Sequence, residues 1–429
     1  MLDINLFREN PEIIKANIEK KFQHDKLPMV DKIVEMDKEY RGFKTRADEL
    51  RGLRNKLSKQ IGMHMGKKEF ELAEAVKKEV QEYSQELADI EAKEEPMFEE
   101  IQKMVMQIPN LISDKVPLGK DDSENVELFK VGETPEKTFE VPYHVDIMES
   151  FDGIDLDSAR KVSGQGFYYL MKDIARLHSA VTTYARDFMI DRGYDYVIPP
   201  YMIRSSVVTG VMSFEEMENM MYKVEGEDLY LIGTSEHSMI GKFIDTIQDE
   251  NQLPLRMTSF SPCFRKEVGA HGIEERGVYR IHQFEKQEMV IVCNPEESEQ
   301  LFEELYTNSV DFFRTLDIPV RVIECCSGDL ADLKNRSVDV EAWSPRQKKY
   351  FEVGSCSNLT DAQSRRLKIR VDSDKGRQYA HTLNNTVVAP PRMLISFLEN
   401  NLQEDGSLLI PEALRPYMGF KDVIYPKKK

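Results

Sequence analysis

Long apolar runs are missing from this chain. No stretch approaches the ~20 consecutive apolar residues that a membrane-spanning helix requires. The opening residues 1–12 carry Asp3, Arg8 and Glu9 where a secretory signal would need an unbroken apolar stretch. Cysteine is sparse: Cys263, Cys293, Cys325, Cys326 and Cys356 are odd in number and include no C-x-x-C pair. A structural zinc site is therefore disfavoured, and the reading is a reduced, cytoplasmic protein with no membrane partner. Positive charge is in deficit as well. Lysine and arginine total 58 against 76 aspartates and glutamates, a formal net charge of -18. That argues against a generic binder of nucleic acid or anionic membrane, which would carry a broad basic surface. A local basic patch remains compatible with it.

With 41% hydrophobic and 31% charged residues over 429 positions, the chain has enough apolar material for globular domains, two or three of them by length. Residues 29–108 differ in texture. Glycine and proline are scarce there, and apolar residues recur in steps of four and three. Met36, Tyr40, Phe43, Ala47, Leu50, Leu57 and Ile61 form one series, and Val76, Val80, Tyr83, Leu87, Ile90, Met97, Ile101, Met104 and Ile108 a second. This is the heptad pattern of a coiled coil. Between them residues 62–69, with two glycines, offer a turn. The spacing predicts a long antiparallel helical hairpin, each arm of about 33 residues reaching roughly 50 Å. A single seam is too small to be a compact core, so the hairpin should project. Heptads most often dimerise, but charge favours another use. Residues 41–68 hold nine basic and two acidic residues in a chain that is acidic overall, which suits phosphate binding.

Pro109, Pro117 and the polar run 119–125 read as a linker. From about residue 140, strand-like runs follow one another without helices between them, alongside helical stretches at 170–192 and 295–316. The expectation is an α+β domain with a mixed, mostly antiparallel β-sheet flanked by helices.

Four clusters carry polar chemistry. Residues 261–290 read as strand, loop, strand. Arg265 and Glu267 are expected on one face of the first strand, and Phe284, Lys286 and Glu288 on one face of the second. Arginine holds phosphate or carboxylate, a ring stacks on a purine, and a carboxylate accepts from an amine. A solvated face would have little use for a phenylalanine among such charges. In 350–366, Glu352 heads a strand followed by small polar residues. In 381–401, Asn384, Asn385 and Thr386 precede Pro391 and Arg392, which open a helix. An arginine at a helix N-terminus opposes the dipole, which points either to a ligand anion nearby or to a plain surface arginine. In 231–238, Thr234, Ser235 and Glu236 form either a helix cap or a polar substrate pocket.

In this order and behind the hairpin, the clusters resemble the catalytic domain of class II aminoacyl-tRNA synthetases, and specifically the seryl-tRNA synthetase family. RGYDYVIPPYMI (192–203) resembles motif 1, FRKE with RIHQFEKQEM motif 2, LNNTVVAPPR with ISFLEN motif 3, and TSE (234–236) the serine loop. The resemblance covers nearly the whole chain. It implies a tRNA-binding arm at 1–115, a catalytic domain at 116–429, and ATP-dependent attachment of L-serine to serine tRNA through a seryl-adenylate. Whether selenocysteine tRNA is also charged stays open.

The resemblance also implies roles. Arg265, Glu352 and Arg392 would be catalytic. ATP would lie against Arg265, Lys266, Glu267, Phe284, Glu352, Val353, Gly354, Ser355 and Arg392. Serine would meet Thr234, Ser235, Glu236, Arg265, Glu288, Asn384 and Thr386. Glu352 and Ser355 would hold Mg2+. The tRNA's variable arm would lie on the basic hairpin, its acceptor end at 269–277 with Glu274, Glu275 and Arg276, and motif 1 would build a homodimer. Gly166 departs from the arginine common in the family, and two prolines precede Arg392 where the family often has smaller residues. A ligase for a carrier protein would lack the basic hairpin. A silent, RNA-binding relative would have lost some of Arg265, Glu352 and Arg392.

Overall fold

The structure, a computed structural model, describes residues 1–134, 136–268, 277–374 and 376–427. It divides into two compact units, Leu2–Pro109 and Asn110–Lys429 with Met1.

In the first unit, short helices at Ile4–Glu9 and Pro11–Lys20 precede α1 (Leu27–Gly66) and α2 (Phe70–Val105). Lys32 bonds Glu100 at 3.3 Å and Arg46 bonds Glu86 at 2.8 Å, so the two run antiparallel. The heptad residues meet as expected. Ala47, Leu50, Leu87 and Ile90 are buried, with Phe43 and Tyr83 packed against them. Towards the turn the seam thins, and Leu57, Ile61 and Val76 are only half-buried. The turn is tighter than the sequence suggests. Gly62 stays helical and α1 runs on to Gly66, leaving the reversal to residues 67–69 with Lys68 at φ 63°. A lone helical glycine costs only about 1 kcal/mol, too little to end a helix.

The second unit is built on eight strands: β1 (Val126–Val131), β2 (Asp195–Tyr196), β3 (Leu255–Phe264), β4 (Gln283–Cys293), β5 (Val320–Glu324), β6 (Arg336–Ser344), β7 (Lys349–Thr360) and β8 (His381–Val388). Their order in the sheet is β1-β5-β6-β7-β8-β4-β3-β2. Every pairing is antiparallel except that of β2 with β3. This is the mixed, mostly antiparallel sheet expected from the sequence. Motif 1 gives less strand than its composition suggests: only β2 and a two-residue strand at Met202–Ile203. Its prolines, Pro199 and Pro200, have no N–H to extend a ladder.

Alternation along β4 explains the layers. Met289, Ile291 and Cys293 point into the main core, under α3 (Lys172–Asp191), α6 (Ser298–Thr315) and α7 (Pro390–Asn401). Val290 and Val292 point the other way, into a smaller core with Met239 and Ile240. Phe284, Lys286 and Glu288 share that second face. The sheet is thus covered by an apolar layer on one side and carries polar groups on the other.

Candidate active site

A cavity of about 380 Å³ opens on the polar face. Phe284, Lys286 and Glu288 reach it from β4, Asn384 and Thr386 from β8, and Glu352, Val353, Gly354 and Ser355 from β7. Residues three apart cannot share one face of a regular strand. A β-bulge brings Glu352 and Ser355 together. Across β6, Val340 faces Gly354 and Glu341 faces Glu352, leaving Val353 as the extra residue. Gly354 lies tight against β8, where an added Cβ would stand 3.2 Å from that of Thr386. In register, Thr386 faces Glu288 on β4, so these two enter the cavity side by side.

Arg265 and Glu267 are not on a strand, because β3 ends at Phe264. They reach the same cavity through irregular backbone, with Glu267 in the left-handed region at φ 51°. The Arg265 N–H bonds the His282 carbonyl at 2.9 Å, its Nε donates to the Gly233 carbonyl at 3.2 Å, and its guanidinium stands 5.3 Å over the Phe284 ring. Two helices complete the walls. Thr234 caps α5 (Ser235–Gly241), its hydroxyl accepting from the Glu236 N–H at 3.3 Å, and both Thr234 and Glu236 line the cavity. Cap and pocket are thus one device. Arg392, in the first turn of α7, stands 3.0 Å from the Glu352 carboxylate and 4.8 Å over the Tyr279 ring.

Two expected residues lie outside the lining. Lys266 turns away to donate to the Glu218 carbonyl at 3.2 Å, and Ser235 is buried in the first turn of α5. The segment expected to meet the tRNA acceptor end falls outside the described residues, Gly277 excepted.

The charges pair selectively. Among the described residues the cavity presents Arg265, Arg280, Lys286, Lys334 and Arg392 against Glu216, Glu236, Glu267, Glu288 and Glu352. Lys286 pairs with Glu288, Arg280 with Glu267 at 3.7 Å, and Arg392 with Glu352 at 3.0 Å. The Glu216 carboxylate accepts from the Ser213 N–H at 2.8 Å, closing the capping box of α4 (Phe214–Met220). Among the described residues Arg265, Lys334, Glu236 and Glu216 form no ion pair, and of the two carboxylates Glu216 is taken up by its capping box. Unpaired cations mark where a ligand's anionic groups can settle, and an unpaired carboxyl marks a place for its cation.

Burial would lift the Glu352 carboxyl, but the adjacent Arg392 outweighs it and holds it below the usual carboxylate range. Glu236 goes the other way. Burial first, then the nearby Glu288, push it up to about 7. Its carboxyl accepts from the Gln363 amide at 2.8 Å, and Gln363 is itself held by the Thr382 hydroxyl at 2.7 Å. Burial also raises Glu288. His237 is pushed down to about 3 by burial and then by Arg265, so it is a neutral imidazole.

Sequence reasoning missed Lys334, His237, Gln363, Tyr279 and Arg280. His237 directly follows Thr234, Ser235 and Glu236 and could have been found by extending that cluster. Gln363 lies within the 350–366 cluster, but neither its type nor its spacing tied it to Glu236. One trio of possible metal ligands comes together among the described residues, Cys325, Asp329 and Asp339. Burial pushes the Cys325 thiol far up, and a protonated thiol is a poor ligand.

Known proteins match the chain throughout. Residues 1–112 match the family described as seryl-tRNA synthetase N-terminal domain, and residues 220–401 the tRNA synthetase class II core domain (G, H, P, S and T). A serine–tRNA ligase of Methanocella arvoryzae is 39% identical over 421 residues, covering 97% of this chain and 99% of the relative. The seryl-tRNA synthetase of Pyrococcus horikoshii, solved with ATP, superposes with a TM-score of 0.94 at 38% identity over 100% of both chains. The cytoplasmic serine–tRNA ligase of Naegleria fowleri, solved with AMP, gives 0.89 at 32% identity over 100% of this chain and 99% of that one. On the hairpin, the sheet and this agreement along its full length, the chain belongs to the seryl-tRNA synthetase family.

Proposed function

We propose that this enzyme attaches L-serine to serine tRNA, using ATP and passing through a seryl-adenylate. The observation that carries the reading is the joining of two half-sites in one cavity. Arg265, Phe284, Glu352, Ser355 and Arg392 form a half fit for a base and phosphates. Thr234, Glu236, Glu288 and Thr386 form a half fit for an ammonium and a hydroxyl. ATP, present in the Pyrococcus structure, is the nucleotide for the first half.

Phe284 stacks on adenine, Glu267 accepts from its amino group, Arg265 holds the α-phosphate and the serine carboxylate, and Arg392 holds the γ-phosphate. Glu236 and Thr234 receive the serine ammonium. Glu288 and Thr386 pair the hydroxyl, so alanine would leave buried polar groups unpaired and bind weakly. The serine carboxylate then attacks the α-phosphorus in line and pyrophosphate leaves. The arginines stabilise the developing charge, with no protein nucleophile involved. The terminal ribose hydroxyl of tRNA next attacks the adenylate carbonyl, releasing AMP. The oxygen donors of Glu352 and Ser355, brought to one face by the bulge, suit a hard cation. Mg2+ held there would neutralise phosphate charge.

The first arm would grip the tRNA's long variable region by shape and backbone. Motif 1 exposes Ile198 (71%) and Met202 (50%), with Tyr196 and Tyr201 beside them. This apolar strip supports a homodimer.

The test is amino-acid-dependent exchange of pyrophosphate into ATP across all twenty amino acids. The expected result is exchange with serine alone, abolished in Arg265→Ala and Glu288→Ala. Absence of exchange with every amino acid would sink the reading.

A further inference from the structure

Lys334 has no part in the roles above, yet it stands among them. It lies in the turn before β6, and its ammonium donates to the Ser337 hydroxyl at 3.1 Å and the Ser355 hydroxyl at 3.2 Å, two oxygens themselves 3.3 Å apart. No carboxylate among the described residues forms an ion pair with it, in contrast to Lys286, Arg280 and Arg392 in the same cavity. An ammonium has three donors, and two neutral hydroxyls neither use the third nor neutralise the charge. A sequestered cation held only by hydroxyls is costly unless an anion joins it. The free space beside it is the cavity shared with Glu352 and Ser355.

We propose that Lys334 binds the polyphosphate tail of ATP beside Ser355. This rests on the reading of Arg265 and Phe284 as the α-phosphate and adenine contacts. A lysine ammonium is a compact point charge with rotatable donors, well suited to phosphate oxygens. It places a fixed protein charge where the tail would otherwise depend on Arg392 and a divalent ion alone. The tail keeps part of its hold on the protein when divalent ions are scarce.

The experiment is calorimetric titration of the full chain with ATP and with AMP, in EDTA and in Mg2+, for the wild type, Lys334→Met and Lys334→Arg. Lys334→Met should weaken ATP on the order of tenfold in EDTA, less in Mg2+, while AMP shifts by under about twofold. Lys334→Arg should recover much of the loss. Equal weakening of ATP and AMP, or no change in either, overturns the proposal, since a merely structural lysine would not distinguish them. A second measurement needs no variant. In EDTA, ATP should protect Lys334 of the wild type from acylation, read by mass spectrometry, and AMP should not. Equal protection by both overturns it as well. Failure of the wild type to bind either nucleotide would count instead against the adenylation reading.

Discussion

Glu236 carries a pH dependence that falls near neutrality. Its carboxyl is lifted to about 7 by burial, with repulsion from Glu288 second. The Gln363 amide and the more distant Lys286 and Lys334 act the other way without cancelling the rise. The folded state therefore binds a proton that the unfolded chain releases near pH 4.5. The stability from this group is present at acid pH and declines as pH climbs through about 7. An ammonium ligand reverses the preference, because it pairs only with the ionised carboxylate. Serine should bind roughly tenfold more weakly at pH 6 than at pH 8, with proton release on binding near neutrality. Titration in buffers of different ionisation enthalpy checks both. A flat profile, or one unaltered in Glu236→Gln, would remove Glu236 from the ammonium site. This behaviour could not be read from the sequence. TSE marks the residue, but its shift depends on Glu288 and Gln363, which are 52 and 127 positions further along the chain. Lys334 was equally hidden, because a lysine in a loop signals nothing until Ser337 and Ser355 are seen on either side of it.

At the scale of elements, periodicity was readable and irregularity was not. The heptads located both helices of the hairpin because every seam residue repeats the same instruction, so one misplaced residue such as Arg54 or Glu94 does not erase it. Leu50 sits in the best-buried part of that seam. Leu50→Ala should cost about 2–3 kcal/mol by transfer and cavity terms, read as a lower melting temperature. Leu57→Ala, where the side chain is half-buried, should cost clearly less. Equal effects would mean the seam does not thin towards the turn. The bulge at Val353 is the opposite case. Alternation alone would send Ser355 to the far side of the sheet from Glu352, and no residue type at 352–355 announces the extra residue. Only the resemblance put the two on one site. The same limit explains Arg265 and Glu267: strand alternation gave the right destination by the wrong route, since the ladder stops at Phe264 and the backbone turns.

At the scale of the whole molecule, charge is unevenly distributed. The net charge of -18 hides a basic α1 beside an acidic α2, which holds eleven acidic and four basic residues. Part of the basic set is already engaged within the hairpin. Arg41 is tied to Asp37, Arg46 to Glu86 and Glu49, and Arg51 to Asp48 and Glu91. Lys44, Arg54, Lys56, Lys59, Lys67 and Lys68 have no ion pair among the described residues, and five of these six lie in the half of α1 and the turn furthest along the seam. These are the groups free to meet phosphates. None belongs to the second unit, which holds the candidate active site, so the two steps of the proposed reaction should respond separately. Changing Arg54, Lys56 and Lys59 together to glutamate should leave serine-dependent pyrophosphate exchange within about twofold while lowering kcat/KM for tRNA charging by at least about tenfold. The salt dependence of tRNA binding should flatten, by roughly one unit of log–log slope for each phosphate that the arm no longer neutralises. A matched reversal at Arg41, Arg46 and Arg51 would instead break ion pairs inside the hairpin and lower its melting temperature. If both triple variants charge tRNA equally well, the hairpin's basic side is a solvated face, and recognition of the tRNA must lie in the second unit.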